Sequence, residues 1–197
     1  MLSETEKLMD KRMRLVCIGA FISAALGICY LFSGFGLKSW WLLALGCYYC
    51  ILGLLESVIL SSVEGKRRLV KFTGWALILL SVPLGGIVAL SLVAERGHRF
   101  SLVSMLAIAV LAFVKITLAT VNLIKSRNYD SEKNTALRSV LFVDGLVSIF
   151  ALQRSMLVTF DGMTQREAIA MNLSTGLSVW IVAFLIGVCM VIRNAEL

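Results

Sequence analysis

Residues 40–62, WWLLALGCYYCILGLLESVILSS, are an apolar run with one carboxylate, Glu56, and no lysine or arginine. Spanning the hydrocarbon of a bilayer takes about 20 mostly apolar residues in a helix. The helix is required because lipid offers no partner to backbone N–H and C=O groups. This stretch therefore reads as one membrane span. Five more runs have the same character, at about 14–35, 72–94, 101–124, 137–158 and 173–193. Together the six occupy most of the 197 residues and leave no length for a soluble domain. Composition agrees: 59% of residues are hydrophobic and 16% charged, with a mean hydropathy of +0.89, whereas a soluble domain has about a quarter of its residues charged. The first run is too long for the apolar core of a cleavable signal peptide, and no small-residue cleavage site follows it. The expectation is an all-α, polytopic integral membrane protein, a single domain (1–197) built as a bundle of six transmembrane helices.

The net charge of +7 is distributed unevenly. Lys7, Lys11, Arg12 and Arg14 precede the first span; Lys66, Arg67, Arg68 and Lys71 lie between the second and third. Lys125, Arg127, Lys133 and Arg138 lie between the fourth and fifth, and Arg193 follows the last. The opposite side has Lys38, Arg96, Arg99, Arg154 and Arg166. Basic residues in short loops stay cytoplasmic, so both termini are expected inside. The same loops are suited to anionic lipid. The partner implied is the bilayer, not nucleic acid.

Short connections make consecutive spans antiparallel neighbours. Trp40 and Trp41 open the second span at the outer interface, where amphipathic rings settle. In TFDGMTQREAIAMN (159–172), Thr164 and Glu167 match a capping box, which predicts a short interfacial helix leading into the sixth span. His98, in the outer sequence AERGHR (94–99), has no second ligand near it and reads as a loop residue. Gly19, Ala20, Ser23, Ala24 and Gly27 place a small-residue stripe on the first span. Such a stripe lets helices approach closely, either inside the bundle or against a partner membrane protein. Pro83, in SVPLGGIV (81–88), predicts a kink or break in the third span.

Ionisable groups in the hydrocarbon are costly and tend to mark interior sites. Glu56, Lys115 and Asp144 are the clear cases. At about 1.5 Å per residue, they lie roughly 7, 3 and 6 Å to the cytoplasmic side of their span centres, in one layer. Helical phase adds to this. Ser104, Lys115 and Asn122 share a face of the fourth span, and Asp144, Ser148, Ala151 and Ser155 share one on the fifth, with Gln153 opposite. On the second span Gly46, Tyr49, Cys50, Gly53, Glu56 and Ser57 form a small, polar face. Trp41, Tyr48, Ile51, Leu55 and Ile59 form the opposite stripe, expected to meet lipid. Two readings follow: a structural pair of Lys115 with Asp144 or Glu56, or a polar pocket for a small solute or ion. Two acids and one base leave a surplus negative charge, so one acid is neutral or meets a cation.

Cys47 and Cys50 form a C-x-x-C pair. No outer-loop cysteine is present to relay electrons and no histidine is at hand for a metal, so gap-filling between helices explains the pair best. The sequence also lacks a nucleophile–base set, phosphate loop or metal motif, and a non-enzyme without cofactor is expected.

FVKITLATVNLIKSR (113–127), LFVDGLVSIFALQRSMLVTF (141–160) and MNLSTGLSVWIVAFLIGVCMVIR (171–193) resemble an uncharacterised family of six-helix membrane proteins from Firmicutes-type bacteria. The matching positions include Lys115, Asn122, Leu146, Val147, Ser148, Leu152, Gln153, Asn172, Thr175 and Gly176, and the likeness covers about residues 48–194. Cys47, Cys50 and Glu56 depart from that pattern, and the family supplies no activity. The functional expectation is a small-solute or ion transporter, or a solute-binding transporter subunit. The alternatives are a non-catalytic assembly or regulatory subunit and, more remotely, a thiol oxidoreductase.

Overall fold

A computed structural model describes residues 4–62, 67–93, 102–125, 132–159 and 164–193. They form six helices: α1 (Glu4–Leu37), α2 (Trp40–Ser61), α3 (Arg67–Val93), α4 (Leu102–Lys125), α5 (Glu132–Thr159) and α6 (Gln165–Arg193). Each is long and apolar enough to cross a membrane. His98 lies outside the described residues.

The helices begin and end beyond several of the apolar runs because their polar ends keep the same backbone. α6 shows this most clearly. Thr164 N–H donates to Glu167 Oε2 at 2.9 Å and Glu167 N–H to Thr164 Oγ1 at 3.4 Å, so the expected capping box forms. Among the described residues no separate interfacial helix precedes α6, however. No glycine or proline interrupts 165–175, and the helix that starts at the cap continues unbroken to Arg193.

α1 passes to α2 in two residues. Lys38 takes a left-handed φ of 50°, Ser39 N–H bonds to Gly34 O at 3.0 Å and Lys38 N–H to Phe35 O at 3.4 Å. This paired 6→1 and 5→2 pattern satisfies the last carbonyls of α1. α3 remains helical through Pro83, so the break does not occur. Beside it, Trp180 Nε1 donates to Ser81 O at 2.8 Å, and Gly85 leaves the indole room: a Cβ there would lie 3.2 Å from Nε1.

α5 touches all five other helices and forms the axis of the bundle. The others make an arc around it in the order α4, α1, α2, α3, α6, each against the next. Among the described residues α4 and α6 do not meet. The closest approaches depend on glycine. A Cβ on Gly27 would lie 2.9 Å from Cys50 N and 3.1 Å from Gly46 O; one on Gly187 would lie 3.0 Å from Gly74 O. The stripe on α1 is thus divided between two neighbours: Gly27 and the backbone of Ala20 and Ala24 meet α2, the last two at Gly53, while Gly19 faces Leu141 and Ser23 bonds Asp144, both on α5. Docking a partner on it would require α2 and α5 to give way.

That position also corrects the expected lipid stripe of α2. Trp41, Tyr48, Leu55 and Ile59 are buried, because α2 has α1 on one side and α3 and α5 on another. Of the stripe only Ile51 is exposed; the outward face runs through Cys47, Ile51, Leu54 and Val58. Ser57, expected on the interior face, is exposed too.

Two basic residues tie the ends of the core helices. Lys133, at the start of α5, donates to Leu60 O at 2.8 Å and Ser62 O at 2.9 Å at the end of α2. Arg154, near the end of α5, donates to Ser91 O on α3 at 2.5 Å and lies 4.8 Å from the ring centroid of Trp41 on α2. α2 is therefore antiparallel to both α3 and α5. Both bases are buried, although their sequence positions mark them as loop-side charges.

Candidate functional site

The three ionisable side chains singled out in the spans do converge. Asp144 is carried by the central helix and is 2% exposed; Lys115, on α4, is 3% exposed; Glu56, on α2, is completely buried. Lys115 Nζ donates to Asp144 Oδ1 at 2.7 Å. Ser23 on α1 donates to Asp144 Oδ2 at 3.0 Å, sharing its proton with Gly19 O, also at 3.0 Å. Both oxygens of Asp144 are thus engaged, one by an ammonium and one by a hydroxyl.

A second layer fixes the pair in place. Ser148 Oγ donates to the carbonyl of Asp144 at 2.8 Å, one turn back on α5. Its proton being committed, Ser148 accepts from Tyr49 OH on α2 at 3.0 Å. The Tyr49 ring lies 4.1 Å from Lys115 Nζ, a cation–π contact. The same ring stacks on Tyr30 of α1, with centroids 5.7 Å apart and planes at 10°. Four helices contribute, so the cluster exists only in the assembled bundle.

Glu56 is placed differently. It lies within electrostatic reach of both Asp144 and Lys115, yet neither of its carboxyl oxygens has a hydrogen-bond partner in the described protein. The hydroxyl of Tyr48, also buried, is likewise unpartnered. Buried polar groups are nearly always hydrogen-bonded, and an exception calls for a cause. An unpaired carboxylate is costlier still in low dielectric. Lys115 is bonded to Asp144, and Glu56 remains beside the pair with both oxygens uncommitted.

The remaining expected residues fall into place unevenly. Asn122 is half-buried two turns from Lys115 on the same side of α4. The side chain of Ser104 lies outside the described residues. Ala151 and Ser155 are buried on the Asp144 side of α5, while Gln153 points elsewhere and donates to Met171 O on α6. Ser23, identified in the sequence only as a small residue, is a ligand of Asp144; Tyr30 and Tyr48 carry no sequence signal that separates them from packing. Asn172 and Gly176 are buried away from this cluster, Gly176 against Val88 and Phe150.

All five cysteines are free thiols. Cys47 faces outward, and Cys50 is half-buried with its sulfur where a Gly27 Cβ would come within 2.7 Å. Among the described residues no three His, Cys, Asp or Glu side chains gather as metal ligands. Comparison with protein-family models, with curated proteins and with solved structures gives no match.

Proposed function

We propose that the chain is a multi-pass protein of a bacterial cytoplasmic membrane that binds or moves a small solute or ion at the polar cluster inside its bundle, alone or as the solute-binding subunit of a transporter. The observation that carries this reading is Glu56, a fully buried carboxyl with two unengaged oxygens beside the Lys115–Asp144 ion pair. A cluster serving only to hold helices in register gains nothing from a second acid it leaves unpaired, whereas a ligand site requires a group with bonds to give. The excess of Lys and Arg flanking one set of span ends supports a topology with both termini in the cytoplasm. The resemblance of the second half to six-helix proteins of Firmicutes-type bacteria supports the bacterial setting.

The test is a ligand screen on the purified protein in detergent or nanodiscs. Alkali-metal ions, amino acids and vitamins are scored by the thermal stabilisation each confers on wild type and on Glu56→Gln. A solute that stabilises wild type and has no effect on the variant supports the site. Equal responses from the two proteins would remove Glu56 from ligand binding and the reading with it.

A second reading, a non-catalytic assembly or regulatory subunit, is favoured by the complete Lys115–Asp144–Ser23 set, which has the form of a structural clasp. Affinity purification from membranes separates the two. A co-purifying ATPase supports the transporter subunit, and a co-purifying enzyme complex supports the assembly role.

A further inference from the structure

We propose that the ligand held by Glu56 is a proton, and that Glu56 and Asp144 compete for the single ammonium of Lys115. In the arrangement observed, Lys115 belongs to Asp144, which leaves Glu56 to hold the proton as the neutral acid. This rests on the reading of the cluster as a ligand site and names what that site takes.

The geometry favours a proton over a metal cation. A hard cation needs a shell of several oxygens. Both oxygens of Asp144 are occupied by Lys115 and Ser23, and no group of three candidate metal ligands occurs among the described residues. A proton needs one oxygen, and Glu56 offers two. Neutral, the carboxyl is tolerated in low dielectric at far lower cost than the carboxylate.

Release follows from the same arrangement. When the O–H bond of Glu56 breaks, the proton passes to water and the electron pair stays on the carboxylate. The new charge lies within electrostatic reach of Lys115. The ammonium has three N–H bonds, one of them directed at Asp144, and an ionised Glu56 draws it away from that partner. Such a shift loosens the tie between α4 and α5 and strengthens one between α4 and α2, so the charge on Glu56 is read as a change in helix contacts.

The charged groups that act on Glu56 are Asp144 and Lys115; the other polar groups of the surrounding helices lie further along them. α5 presents Asp144 and, toward the end of α2, Glu132 and Lys133; α4 presents Lys115. α1 presents Ser23 and Tyr30, and α2 itself Tyr48 and Tyr49. At that end of α3, Arg68 and Lys71 are exposed.

The experiment is infrared spectroscopy of the full-length protein in nanodiscs at neutral pH, reading the C=O stretch of a protonated carboxylic acid. Wild type should show one buried acid band. Glu56→Gln should abolish it, while Glu132→Gln should leave it in place. Asp144→Asn should also abolish it, because Lys115, deprived of its partner, ionises Glu56. Should Glu56→Gln fail to fold, labelling the glutamate carboxyls of wild type with carbon-13 must shift the band. No acid band in wild type, or one that survives Glu56→Gln or does not shift on labelling, overturns the proton site; a band that persists in Asp144→Asn overturns the competition for Lys115. The outcome is separable from transport. An acid band behaving as described without ligand response or flux leaves the proton site standing and removes the transport reading. Flux without an acid band does the reverse.

Discussion

Replacing Lys115 by methionine should destabilise the bundle more than replacing Asp144 by leucine, and the double replacement should recover most of the loss. Lys115→Met leaves Asp144 buried with only the Ser23 hydroxyl as donor. Stranding one member of a buried pair costs about 3–5 kcal/mol, and loss of the ammonium over Tyr49 contributes a share of about 0.5–2 kcal/mol. A neutral hydrogen bond between membrane helices averages only about 0.6 kcal/mol, so an effect of several kcal/mol can come only from the charge. Asp144→Leu strands the base instead, but Glu56 stands ready to receive it, and the cost falls to roughly half. Exchanging a buried pair for apolar residues of similar volume is often neutral or stabilising, so Lys115→Met/Asp144→Leu should lie within about 1–2 kcal/mol of wild type. Reversible unfolding in mixed micelles, run as a double-mutant cycle, measures all four states and should return a coupling of roughly 4–5 kcal/mol. The reasoning fails if Lys115→Met costs under about 1 kcal/mol, or if the two single losses simply add in the double variant. Either result would mean that the pair is solvated and that Asp144 does not depend on Lys115.

Packing and end contacts give further expectations, measured by the same unfolding unless stated. Gly27→Ala would put a Cβ 2.7 Å from Cys50 Sγ, 2.9 Å from Cys50 N and 3.1 Å from Gly46 O. Two of these are backbone atoms that can yield only if α1 and α2 separate, at a cost of about 1–3 kcal/mol. Gly86→Ala meets nothing within 4 Å and should be neutral or stabilising by up to about 1 kcal/mol through helix propensity. Arg154→Lys keeps the charge but loses the planar group that lies on Trp41 while donating to Ser91 O. Amide exchange should speed up at the Trp41 end of α2 and the Ser91 end of α3, and stay unchanged where Lys133 caps α2. Lys38→Gly removes a side chain from a left-handed residue and should stabilise the α1–α2 turn by about 1 kcal/mol.

Hydropathy alone revealed six helices long and apolar enough to cross a membrane, since the bilayer demands a run of about 20 apolar residues per crossing. Depth counting also placed Glu56, Lys115 and Asp144 in one layer, because rise per residue is fixed once the spans are known. The Thr164–Glu167 cap was legible for the same kind of reason: it is local, and four residues of sequence contain all of it. The outward and inward faces of α2 were not legible. Lipid and neighbouring helices are equally apolar, so Trp41, Tyr48, Leu55 and Ile59 look alike to both, and only the arc of helices around α5 puts them inside. The burial of Lys133 and Arg154 was not legible either, because long basic side chains reach the ends of neighbouring helices, which no count along the chain records. Above all, two acids and one base in a layer permit two pairings. The sequence determined that these charges share the interior of a six-helix bundle. The tertiary structure decided that Lys115 goes to Asp144 and that Glu56 is left over, because only the placement of α1, α2 and α4 around α5 brings Ser23, Tyr49 and Lys115 to one carboxyl and leaves the other without a donor.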